Sequence, residues 1–155
     1  MEGTAHSHAG IIAEVRVLKW AAAGFLENGW EFLDKYYLGD LGLRHALFGY
    51  RDLDIGGLLE NVVYLELLRR GYQVRVGVLD QSEIDFVAER HGRRLYVQVA
   101  HLLQGEETLR REFGNLERIG DNYPKLLLSL DDFAPEERNG IRRQHLVDFL
   151  LEATG

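Results

Sequence analysis

Glu60, Asp85 and Gln98 are the side chains whose types and spacing could do chemistry in this sequence. Glu60 follows Gly57 early in a strongly helical stretch. Asp85 lies in Glu83-Ile84-Asp85-Phe86, and Gln98 in Tyr96-Val97-Gln98-Val99-Ala100. Both of these segments read as strands. An aspartate set between Ile84 and Phe86 is costly to bury unless it is paired or binds a metal. Strand side chains alternate, so Gln98 and Ala100 share one face while Val97 and Val99 share the other. A neighbouring hairpin strand can bring Asp85 alongside Gln98 on the first of these faces. Plainer readings stand beside these. Glu60 suits the positive end of a helix dipole, Asp85 suits a structural pair, and Gln98 and Ala100 suit simple fold positions.

The elements that must position these residues are legible in the patterning. Leu58, Val62, Leu65 and Leu68 recur at i, i+4, i+7 and i+10, with Leu59, Val63 and Leu67 widening the stripe, and Gly71 stands at the stop. This predicts a buried helix over 53–70. Strands follow at Tyr72–Leu79, Glu83–Glu89 and Arg94–Ala100, joined by the turn signals Asp80-Gln81-Ser82 and His91-Gly92 as antiparallel hairpins. Leu109, Phe113, Leu116 and Ile119 predict a helix over 106–119, and Lys125–Leu130 is the unbroken apolar run of a buried strand. Residues 141–147 are a last strand, and Asp148 is expected to cap a terminal helix from Phe149 to Ala153. Upstream, residues 11–19 lean towards a strand. Lys35–Leu38 is β-like, and Asp40 can cap a helix carrying Leu43, Ala46 and Leu47. The expected class is α/β with a mixed sheet flanked by helices. Residues 1–10 are read as a disordered or extraneous tail and residues 11–155 as one domain.

The order helix-Glu, strand-Asp, strand-(Glu/Asp)-x-Lys resembles the PD-(D/E)XK nucleases. More closely, residues 35–151 resemble the uncharacterised nuclease-like domain at the C-terminus of archaeal and bacterial AAA-type ATPases. The stretches that carry the likeness are KYYLGDLGLRHALFGY, DIGGLLENVVYLELLRRGYQV, EIDFVAE, YVQVA, FGNLERIGDNYPKLLLSLD and NGIRRQHLVDFLLE. The resemblance implies a restriction-endonuclease-like core of order α-β-β-β-α-β. It also implies a pocket in which Glu60 is the helix carboxylate and Asp85 the central ligand of Mg²⁺ or Mn²⁺. Gln98 stands where the family has its acid and Ala100 where it has its lysine. An amide oxygen can coordinate, but it brings no charge, and Mg²⁺ dehydrates reluctantly without carboxylates. The chain has three lysines, Lys19, Lys35 and Lys125, of which Lys125 alone is placed to have taken over the missing role. Arg93 or Arg94 could supply charge, but an arginine stays protonated.

Composition narrows the partners. The net charge is -7, so any grip on nucleic acid must come from a local patch. Arg110, Arg111, Arg118, Arg142 and Arg143 are candidates, although Glu107, Glu112 and Glu117 interleave them as on a solvated, salt-bridged face. There is no cysteine, no GxxxxGK[ST] phosphate loop, no membrane-length apolar run and no signal-peptide pattern; His6 and His8, at i, i+2, fall in the terminal tail, and His91 and His101 have no His partner at ligand spacing. A cytoplasmic location is the default. The expected function is a degenerate nuclease-fold accessory domain of an AAA-type ATPase that binds DNA, the ATPase domain or another protein without cutting. The alternatives are an active Mg²⁺- or Mn²⁺-dependent DNA phosphodiesterase and a purely protein-binding or dimerising domain. Homo-oligomerisation is left open.

Overall fold

The computed structural model describes residues 12–16, 34–39, 42, 55–79, 82–132 and 136–152. Two strands, β1 (Ile12–Arg16) and β2 (Asp34–Leu38), pair antiparallel with Ile12 opposite Leu38 and Arg16 opposite Asp34. These match the strands expected in both places. Of the helix expected after Asp40 only Gly42 is described, and it is helical; the rest of that helix and the tail at 1–10 lie outside the described residues.

Helix α1 (Ile55–Arg69) ends as the sequence predicts. Gly71 adopts φ 81°, the Tyr72 N–H reaches the Leu67 carbonyl at 3.0 Å, and the Gly71 N–H reaches that of Leu68 at 2.9 Å. This is a Schellman stop, which needs a residue tolerant of left-handed backbone. The buried stripe, however, is Leu59, Val63, Tyr64 and Leu67, while Leu68 is exposed. Two apolar stripes overlap on this helix. The sheet takes the one that Tyr64 broadens, turning Leu58 and Leu68 towards the rim. Glu66, though buried, holds Arg69 at 2.7 Å and Arg70 at 2.7 Å. The hydrogen bonds from Arg69, foremost, and the one from Arg70 hold its carboxyl below the usual range, against the opposing effect of burial.

The remaining strands form one six-stranded mixed sheet of order β3-β4-β5-β6-β8-β7. Strands β3 (Gln73–Leu79), β4 (Ser82–Arg90) and β5 (Arg93–Val99) are antiparallel neighbours. Helix α2 (Glu106–Glu117) then carries the chain over to β6 (Lys125–Ser129), which runs parallel to β5. The short β7 (Glu136–Arg138) turns through Asn139 and Gly140, at φ 53° and 74°, into β8 (Ile141–His145), which is parallel to β6. Strand β7 has no apolar residue and is fully exposed, so periodicity gives it no signal. Helix α3 (Leu146–Leu151) starts earlier than expected. Its cap is the His145 imidazole, which accepts the Val147 N–H at 3.3 Å, and Asp148 falls inside the first turn.

The sheet separates two apolar layers. Leu59, Val63, Tyr64 and Leu67 of α1, Tyr37 of β2, and Leu146 and Phe149 of α3 cover one face, meeting Phe86, Val97, Val99, Leu126 and Leu128. On the other face Phe113 and Leu116 of α2 meet Ile84, Tyr96, Ala100 and Leu127. Strand β6 thus feeds both layers, as a strand interior to a sheet covered on both sides must. Among the described residues no helix is long and apolar enough to cross a membrane.

Candidate functional site

The site is set by a break in the β3–β4 ladder. Arg75 pairs with Val87, but the next pair is Gly77 with Ile84, so Val76 alone faces both Asp85 and Phe86. This is a β-bulge, two residues opposed to one, and it resets the alternation of the strand. Ile84 and Val87, three positions apart, consequently face the same layer, that of α2. Both close over Gly77, where an added Cβ would stand 2.8 Å from Val87 Cγ2 and 3.1 Å from Ile84 Cβ. Only a residue without a side chain fits at position 77, beside the bulge. Asp85 falls at the break, between Ile84 on one face and Phe86 on the other.

Asp85 and Gln98 come together there, both buried. The main-chain pairing of β4 with β5 begins only at Phe86 and Val97. Beyond it, side-chain oxygens take over the ladder. The Val99 N–H donates to Asp85 Oδ2 at 2.8 Å, and the Asp85 N–H donates to Gln98 Oε1 at 3.4 Å, the long end of hydrogen-bonding range. The two residues therefore close the gap the bulge opens, each using an oxygen to receive a main-chain N–H of the other strand. An unmet N–H in this interior would cost about 1–3 kcal/mol.

Glu60 reaches the same neighbourhood through Tyr37. The Tyr37 hydroxyl donates to Glu60 Oε2 at 3.2 Å, and its ring stacks on Tyr64 with centroids 4.7 Å apart and lies 5.5 Å from Phe86. Burial first, and then the negative charges of Glu60 and Asp85, push the Tyr37 phenol far above its ordinary value. Tyr37 thus remains a protonated donor throughout the working range of a protein. In the sequence Tyr37 reads only as part of a β-like run. No local signal marks it, because its role comes from a contact across 23 positions.

The other candidates are placed apart. Alternation along β5 puts Gln98 with Tyr96 and Ala100 on the α2 face, whereas Glu60 belongs to the helix covering the opposite face. Ala100 is buried beside Leu103 and Phe113. Lys125 pairs with Tyr96, three positions back along the sheet from where Val99 pairs with Leu128, and its ammonium donates to the Asp121 carbonyl at 2.8 Å. Arg93 and Arg94 also lie at that far end of β5. On α2, Arg110 is exposed, Arg111 pairs with Glu112 at 2.8 Å, and beyond its last turn Arg118 donates to Ser82 Oγ at 2.7 Å. Arg142 on β8 is answered by Glu152 at 3.1 Å.

The donor set does not suit a divalent ion. One Asp85 oxygen and the Gln98 oxygen receive main-chain N–H groups, and a Glu60 oxygen receives the Tyr37 hydroxyl. Among the described residues no three of His, Cys, Asp and Glu gather as ligands. Hard cations such as Mg²⁺ need several oxygens turned inwards upon one point.

No family model matches the chain. Over 118 residues it is 44% identical to an uncharacterised protein of Haemophilus influenzae, an alignment that takes in 76% of this chain and 29% of that protein. The chain thus spans less than a third of the length of the relative it matches.

Proposed function

We propose that this chain is a catalytically silent PD-(D/E)XK-like module of a larger AAA-type ATPase, one that binds DNA or a protein partner rather than cleaving a phosphodiester. The observation that carries this reading is the use made of Asp85 and Gln98. In a working phosphodiesterase such residues would aim their oxygens at a metal and the attacked phosphate. Here they accept N–H groups across the gap between β4 and β5, and the position the resemblance gives to a lysine is a buried Ala100. The run of elements from α1 through β3, β4, β5 and α2 to β6 agrees with the α-β-β-β-α-β order of that superfamily. In the Haemophilus influenzae relative the matched segment makes up 29% of the polypeptide, an arrangement compatible with a module of a larger protein. The ATPase assignment itself draws on the resemblance of residues 35–151.

Incubating the protein with single-stranded, duplex and branched DNA in Mn²⁺ tests the silent reading. Every substrate is expected to stay intact. Cleavage that is abolished by both Asp85→Asn and Glu60→Gln would sink it and restore the phosphodiesterase.

A further inference from the structure

At the other end of β4 and β5, about 16 Å along the strand from Asp85 at 3.3 Å per residue, lies a cleft of about 890 Å³ lined by Tyr72, Arg90, His91, Arg93, Arg94 and Tyr123. The β4–β5 hairpin builds it. His91 and Gly92, at φ 52° and 74°, make the two-residue turn and set Arg90 directly opposite Arg93. Like charges facing each other across a strand pair are unfavourable unless something answers them. Glu89, the one acid at this end of the hairpin, is committed to Arg94 at 2.7 Å and Arg75 at 3.5 Å. Neither Arg90 nor Arg93 has a carboxylate partner among the described residues. Arg90 donates one N–H to the Arg70 carbonyl at the end of α1, and Arg93 is exposed. Positive charge is therefore concentrated here in a chain whose net charge is -7.

The aromatic rings of the cleft add a second, different surface. Tyr72 lies 5.2 Å beneath the Arg90 guanidinium, and Tyr123 lies 5.6 Å from that of Arg94. Tyr123 is 40% exposed, unusual for so large a ring, and stands on the cleft wall next to Pro124. Unanswered arginines alone would suit any anion, whereas arginines beside the open ring of Tyr123 suit a chain of phosphates and unpaired bases. A duplex keeps its base faces stacked and offers none to a tyrosine. A phosphopeptide would use the arginines and leave the rings idle.

We propose that this cleft holds a segment of single-stranded nucleic acid, with phosphates against Arg90 and Arg93 and a base stacked on Tyr123. Arginine–phosphate contacts supply salt-sensitive affinity, and base–tyrosine stacking supplies a sequence-tolerant grip. The proposal deepens the binding reading above and rests on it only in taking the chain to bind rather than to cleave. It places the binding surface away from the Asp85 bulge.

The test is fluorescence anisotropy of a labelled oligothymidylate with the whole chain in EDTA, over a series of salt concentrations. Tyr123→Ala should weaken binding at least about fivefold, the low end of one base–aromatic stack. Arg93→Ala should weaken it and lower the slope of log K against log salt by about 0.7, one phosphate's share on a single strand. Arg138→Ala, on β7 at the opposite edge of the sheet, should change neither. Both cleft side chains are exposed, and circular dichroism checks that each variant is folded. The proposal is overturned if the wild type does not bind the oligonucleotide, or if both cleft variants bind as it does. It is equally overturned if a duplex, a mononucleotide or a phosphopeptide binds as tightly. EDTA removes cleavage from the measurement, so cutting in Mn²⁺ would end the silent reading without touching this result.

Discussion

Ala100→Lys, which restores the cation of the family pattern, is expected to destabilise the protein by roughly 3–5 kcal/mol, the usual cost of a buried charge without compensation, and to confer no cleavage. Ala100 is 8% exposed, its N–H donates to the Leu128 carbonyl at 2.9 Å, and it packs in the layer of Leu103, Phe113 and Leu116. A longer side chain there must displace apolar neighbours, which adds overpacking to desolvation. Glu60 is on the helix that covers the opposite face, so the new ammonium would enter the wrong layer to join it. The pH dependence has a definite sign. Burial lowers the pKa of the introduced amine in the folded state, so the unfolded chain binds the proton more tightly. Stability then rises with pH, and the penalty is largest at neutral pH and fades as the pH approaches about 10.4, the ordinary lysine value. Urea unfolding at neutral pH and near pH 10 measures this. A variant as stable as the wild type at neutral pH that also cuts DNA in Mn²⁺ would remove the basis of the silent reading.

Phe86→Ala is expected to cost about 3–5 kcal/mol, as large aromatic truncations in well-packed cores do. Phe86 is fully buried, stands opposite Val97, and packs 5.5 Å from Tyr37 and 6.2 Å from Tyr64. It is also the second residue of the bulge, so the cavity would open beside Asp85. Tyr37 would lose one of the two rings that hold its hydroxyl towards Glu60, and the near-ultraviolet circular dichroism of the tyrosines should weaken with the stability. Phe86→Leu, which keeps most of the volume, should lose much less. A loss below about 1 kcal/mol for the alanine variant would mean that the aromatic trio does not anchor the site.

The antiparallel half of the sheet was readable because its signals are local. His91-Gly92 makes its turn without help from the rest of the chain, and the alternation of Val97 and Val99 against Gln98 and Ala100 survives into the folded layers. The bulge at Asp85 was not foreseen, although a trace of it is visible. Ile84 and Val87 are apolar at a spacing of three within a strand, and Gly77 lies across from them. Strict alternation cannot bury both, so one residue had to be extra. The meeting of Asp85 with Gln98 was expected as a shared face, whereas the structure joins them across the strand gap through main-chain N–H groups. Tyr37, and the cleft made by Tyr72, the hairpin arginines and Tyr123, depend on residues far apart in sequence. Strand β7 is too short and too charged to show a period, and the start of α3 was misjudged because Asp148 is a commoner cap than His145.

The strand order has a consequence for how the molecule assembles. β3, β4 and β5 follow one another with tight connections, so joining them confines little chain, whereas β6 can meet β5 only after the whole of α2 has been laid down between them. The hairpin bearing Arg90 and Arg93 is therefore expected to form ahead of the segment that brings Tyr123 to it, and pulsed hydrogen exchange during refolding would detect protection in β4 and β5 before β6 and β8. Equal protection times in the two halves would argue against that sequence of events. On this order the cations come first, and the aromatic wall closes upon them last.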